Sequence, residues 1–260
     1  FFGGSTMFGF DLQRDLHTIP SEVVRLAEED GLYLRARNYG APGFVNFQES
    51  VLMAQLVTAG EHPDLAVFYD GINDTSMQLL NRLGGFDPPG EPSQLGVALT
   101  REAVAESAGV SAEPPAPLVA GEPGGGLTDA DVVVDDVVAV YEQGVALSET
   151  VAASAGFPVE HFWQPDLYSR AELDPGEQQL LEGLALDPYR FDSMQALLQA
   201  VRDALPSSTV DLGGAFDDVD GPVLADYVHT NEVGARAVAE AMYTSLRPQL
   251  EALSAEQAEG

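Results

Sequence analysis

Short apolar runs that end in glycine and give way at once to a helical pattern recur along this sequence, and that alternation leaves few folds open. Phe1-Phe2 runs into Gly3-Gly4-Ser5. Leu32 to Arg37 alternates like a strand and passes through Asn38-Tyr39-Gly40-Ala41-Pro42-Gly43 into a helix, where Phe44, Phe47, Val51, Leu52 and Leu56 recur at helical spacing up to Thr58. Asp64 to Tyr69 reads as a buried strand leading into Asp70-Gly71-Ile72-Asn73-Asp74. Val159 to Pro165 and Thr209 to Leu212 supply the fourth and fifth strands. Helices are expected from Thr18 to Asp30, from Asp129 to Ala155, from Phe191 to Leu205 and from Val233 to Leu246. Strands that alternate with helices imply an α/β protein whose parallel sheet is covered on both faces.

At 260 residues with 45% hydrophobic side chains, the chain is long enough to bury one large core, and one domain is expected over residues 1–260. Acidic residues outnumber basic ones by 42 to 11, the formal net charge is −31, and every basic residue is Arg. A surface of that sign repels nucleic acid and anionic membranes, which argues against nucleic-acid partners. The acidity itself reads either as adaptation to a salty medium or as a bias of lineage. With no Cys, disulfides, zinc-thiolate sites and a thiol nucleophile are all excluded. No run of about 18 apolar residues is present, so no integral membrane segment is expected. The chain opens inside a strand-like run, which suggests an upstream piece and favours a secreted or cell-envelope location.

Between Gly84 and Asp131 the periodicity breaks down into Pro88-Pro89-Gly90, Pro114-Pro115-Ala116-Pro117 and Gly124-Gly125-Gly126. This reads as an insertion at the active edge, either a lid or a passive surface excursion.

Four places carry candidate chemistry. Ser5 sits where a Gly-Gly turn hands over to the next segment, which suits either a plain turn or a nucleophile projecting from the carboxyl edge of a sheet. Gly43, just ahead of a helix, leaves a backbone N–H able to hold developing negative charge, or makes an ordinary strand-to-helix turn. Asn73 offers a side-chain amide donor at the same edge, or simple turn chemistry. Asp226 and His229, three apart at the entry to the last helix, suit a carboxylate orienting an imidazole, or a helix-start ion pair. His161 and the single Trp, Trp163, lie in a strand and read as core.

Gly3-Gly4-Ser5-Thr6, Gly43, Gly71-Ile72-Asn73-Asp74 and Asp226-Tyr227-Val228-His229, in this order at successive strand ends, resemble the four blocks of the SGNH hydrolases, the GDSL-type esterases and lipases. Gly4 and Thr6 depart from that family's Asp and Leu. The resemblance implies a flavodoxin-like three-layer α/β/α sandwich with a central five-stranded parallel sheet, and hydrolysis of carboxylic esters through an acyl-enzyme. Carried over, Ser5 is the nucleophile, His229 the general base and acid, and Asp226 its orienting carboxylate. Ser5, Gly43 and Asn73 then form the oxyanion hole. The resemblance implies no metal or organic cofactor. The expected substrate is a small-molecule, lipid or acylated-sugar ester. An O-acyltransferase and a non-catalytic carbohydrate- or lipid-binding module are the alternatives.

Overall fold

A computed structural model describes residues 1–83, 130–184 and 194–259. Its sheet consists of β1 (Phe2–Gly3), β2 (Ala66–Asp70), β3 (Val159–Trp163) and β4 (Thr209–Asp211), in the order β1-β2-β3-β4 with every pair parallel. Eight α-helices accompany it among the described residues: α1 (Ser5–Phe8), α2 (Ile19–Glu29), α3 (Asn46–Thr58), α4 (Ile72–Leu83), α5 (Ala130–Ala155), α6 (Pro175–Leu184), α7 (Met194–Asp203) and α8 (Glu232–Glu259). Apart from its last two residues, which open α5, the insertion expected at about 84–131 lies outside the described residues.

Period-two alternation sends neighbouring strand residues into different cores. From β2 and β3, Val67, Tyr69 and Phe162 point into a cluster with Ile19 and Val23 of α2 and Val238, Met242 and Leu246 of α8. Ala66 and Phe68 join Phe2 and Met53 of α3, while Trp163 packs with Leu79, Val137, Tyr141 and Leu197. The described helices therefore cover both faces of the sheet. Phe68 and Phe162 are completely buried, as a parallel sheet between two helix layers requires.

The strand expected over Leu32 to Arg37 does not form. Leu32 to Arg37 keeps its alternation, with Leu32 and Leu34 against the α2–α8 core and Tyr33 exposed, but it closes no ladder. Its neighbour β1 offers only Phe1 to Gly3 as backbone partners, and these are taken by the residues that follow. The Phe1 ammonium donates to the Arg37 carbonyl (2.8 Å), Tyr39 N–H to Phe1 (2.8 Å) and Ala41 N–H to Gly3 (2.9 Å). Residues 37–41 thus run alongside β1 in the parallel sense without becoming a strand, and the sheet has four strands among the described residues.

Candidate active site

Ser5 opens α1 directly after β1, at the carboxyl edge of the sheet, where open α/β folds gather their ligands. The preceding glycines serve close approach rather than a sharp turn, since neither has a positive φ. A Cβ on Gly4 would stand 2.3 Å from Asn73 Nδ2, so glycine lets the Ser5 loop and the Asn73 amide meet. Gly9 closes α1 in the left-handed region (φ 96°), and Phe10 N–H donates to the Ser5 carbonyl (3.0 Å).

Asp226 and His229 come from the loop that leads into α8. An antiparallel bridge between Leu224 and Thr230 closes it, together with Ala225 N–H donating to the His229 carbonyl (2.8 Å). Outside support comes from Glu177 on α6, whose Oε1 accepts from Val223 N–H (2.9 Å) and Leu224 N–H (3.3 Å) while the carboxylate pairs with buried Arg170. Asn231 Oδ1 accepts from Val233 N–H (2.9 Å) and Gly234 N–H (3.0 Å) and so caps α8.

These supports bring Ser5 Oγ to 2.7 Å from His229 Nε2, and His229 Nδ1 to 2.6 Å from Asp226 Oδ2. Asp226 Oδ1 also accepts from Val228 N–H (2.8 Å) and His229 N–H (2.7 Å). Burial pushes the Asp226 carboxyl up, but the hydrogen bonds from the His229 ring and the two backbone N–H groups outweigh it and hold the group below the usual carboxylate range. Asp226 therefore stays an anion that can orient, and pair with, an imidazolium.

Asn73 is the second residue of α4, beside Gly4, and its Nδ2 donates to the Phe44 carbonyl (2.9 Å). Gly43 occupies the turn one residue earlier, with φ 79° and nothing within 4 Å of the position its Cβ would take. Ser5, His229 and Asp226 are thus joined in one hydrogen-bonded chain. Asn73 adjoins that chain at Gly4, and Gly43 adjoins Asn73 through Phe44.

With the geometry in place, comparison with known proteins adds little. No protein-family model matches the chain, and no curated protein matches it. The fold is similar to that of the acetyl xylan esterase AlAXEase. That likeness has a TM-score of 0.45 and 14% identity, covering 94% of this chain and 98% of the other. At this level it carries no inference about chemistry.

Two groups that sequence reasoning missed face His229. The Phe10 ring lies 4.8 Å from the imidazole, centroid to centroid, and Asp11, in the left-handed region at φ 67°, places its carboxylate 4.0 Å from Nδ1. Neither had a signal beyond following Ser5 by a few residues. Asp11, Asp226 and His229 are also the one set of ligand atoms among the described residues close enough to share an ion. Both ring nitrogens of His229 are already engaged there, one by Ser5 and one by Asp226.

Behind the site lies a buried polar layer formed by Asn46, Glu49, Asp70, Asp74, Ser148 and His161. Burial raises the Asp70 carboxyl to about 7 against hydrogen bonds from Asn46 and Glu49, and raises Glu49 and Asp74 well above the ordinary carboxylate value. The neighbouring Asp70 and Asp74 carboxyls add to the upward shift that burial gives Glu49. His161 is a core residue, as expected from the sequence. Burial lowers its pKa to about 4, so it is neutral, with Nε2 3.0 Å from Ser148 Oγ.

Proposed function

We propose that the chain is a serine esterase of the SGNH type, hydrolysing carboxylic esters through an acyl-enzyme. The observation that carries this reading is the hydrogen-bonded chain Ser5 Oγ to His229 Nε2 (2.7 Å) and His229 Nδ1 to Asp226 Oδ2 (2.6 Å), drawn from residues 224 apart. His229 Nε2 takes the Ser5 proton as Oγ bonds to the ester carbonyl carbon. The resulting imidazolium is paired with the Asp226 anion. The carbonyl oxygen, now an oxyanion, accepts from the backbone N–H groups of Ser5 and Gly43 and from Asn73 Nδ2. One Asn73 N–H is held by Phe44 and the second remains for this task. Collapse expels the alcohol, which takes the proton back from Nε2. Water, deprotonated by the same nitrogen, then releases the acid and restores Ser5.

A fluorophosphonate probe is expected to add one mass increment at Ser5, and His229→Ala to abolish it. Labelling at any other residue would remove Ser5 from the role. A p-nitrophenyl ester series defines the acyl preference, and product analysis with an added alcohol separates hydrolysis from acyl transfer.

A further inference from the structure

We propose that Asp74 is a positioning residue that locks the Gly43–Asn46 segment to Asn73, so that the two outer donors of the oxyanion hole are held as one body. The proposal rests on the reading of the site given above and adds a residue to which that reading gives no role.

Three hydrogen bonds join this segment to the corner between β2 and α4. Asn73 Nδ2 donates to the Phe44 carbonyl (2.9 Å), Asn46 N–H donates to Asp74 Oδ1 (3.0 Å), and Asn46 Nδ2 donates to Asp70 Oδ2 (2.7 Å). The first two are reciprocal: each side gives one donor and one acceptor. A helix leaves its first N–H groups without internal partners, and a Ser, Thr, Asn or Asp at the N-cap ordinarily answers them. In α3 the N-cap is Val45, which has no side-chain acceptor, and its first residue, Asn46, obtains its acceptor from Asp74 on a different helix. The cap of α3 is therefore also a tie to α4, two residues into which Asn73 stands.

The tie is buried and fenced in. Asn46 and Asp74 are buried to within 1%. A Cβ on Gly144 of α5 would lie 2.1 Å from Asn46 Oδ1, so α5 fences the segment from behind. Without Asp74, the hydrogen bonds that remain among the described residues are Asn73 to the Phe44 carbonyl and the Asn46 side chain to Asp70, and a displacement of about 1 Å at a donor is enough to cost about a hundredfold in rate.

The test uses the whole protein with p-nitrophenyl acetate, kcat being normalised to the folded fraction. Asp74→Ala is expected to lower kcat about ten- to a hundredfold with KM within about twofold. Asp74→Asn keeps an amide oxygen for Asn46 N–H and is expected to recover most of that loss. In an Asn73→Ala background, Asp74→Ala should cost clearly less than it does in the wild type, because one of the two donors it holds together is already gone. A merely structural Asp74 predicts a lower melting temperature with kcat intact, and that result in Asp74→Ala overturns the proposal. So does a tenfold loss in Asp74→Asn, which serves if Asp74→Ala does not fold, or full additivity with Asn73→Ala. If Asn73→Ala is slow but Asp74→Ala is not, this proposal alone fails. Hydrolysis that survives Ser5→Ala overturns the esterase reading and this proposal together, whereas full kcat in Asn73→Ala removes Asn73 from the site and overturns this proposal alone.

Discussion

On the proposed chemistry Asn73 acts on charge that exists only in the tetrahedral state, so its removal should slow turnover far more than it weakens binding. Asn73→Ala is expected to lower kcat by about a hundred- to a thousandfold, about 3–4 kcal/mol, with the protein still folded. Measuring kcat and melting temperature on one preparation decides the matter, since near-normal kcat with reduced stability would make Asn73 a turn residue. Asn73 was legible in the sequence because it follows a strand end, and Asp226 and His229 because they are only three residues apart. Asp11 and Phe10 were not legible: they reach His229 by a contact between chain segments more than 200 residues apart, which no local pattern encodes. Gly4 was found but for the wrong reason. The sequence made it half of a turn, whereas its value is the space it leaves for Asn73.

The elements that the sequence concealed are those that bury polar side chains where periodicity looks for apolar ones. Helix α4 buries Asp74, Thr75 and Gln78 beside its apolar residues, and α6 buries Glu177. The alternation of residues 32–37 was correctly read, but a strand also needs a neighbour with free backbone, and that lay outside local pattern. Yet α6 matters to the site, because Glu177 supports the loop that carries Asp226 and His229. Glu177→Ala would leave Arg170, with a side chain only 5% exposed, without its carboxylate partner and strand three backbone N–H groups, those of Asp174, Val223 and Leu224. A loss of about 3–5 kcal/mol is expected, read as a lower urea midpoint at unchanged slope. A loss below about 1 kcal/mol would mean that water replaces Glu177 without cost.

For the molecule as a whole, the buried carboxyls tie stability to pH in the direction opposite to that of an ordinary salt-bridged acid. The Asp70 carboxyl, about 3.8 when unfolded and about 7 when folded, keeps its proton in the native state after the unfolded chain has given it up. Its contribution is full below about pH 4 and is lost as pH rises through about 7, and Glu49 and Asp74, also raised, act in the same sense. His161, lowered to about 4, opposes them: its contribution is full above the ordinary imidazole value and fades as pH falls towards 4. Asp70→Asn keeps an acceptor for Asn46 but cannot ionise, so relative to wild type it should gain about 3–4 kcal/mol between pH 4 and 7.5. Urea midpoints of the two proteins at both pH values test this, and a constant difference would show that Asp70 does not titrate in that window. The hydrogen bond between Ser5 and His229 spans 224 residues of sequence. During synthesis on the ribosome the serine therefore emerges long before its base exists, and loop-closure entropy delays their meeting until the sheet between them has formed. On the proposed chemistry a half-made chain has no hydrolytic power against the esters around it, and the completed fold is what switches the serine on.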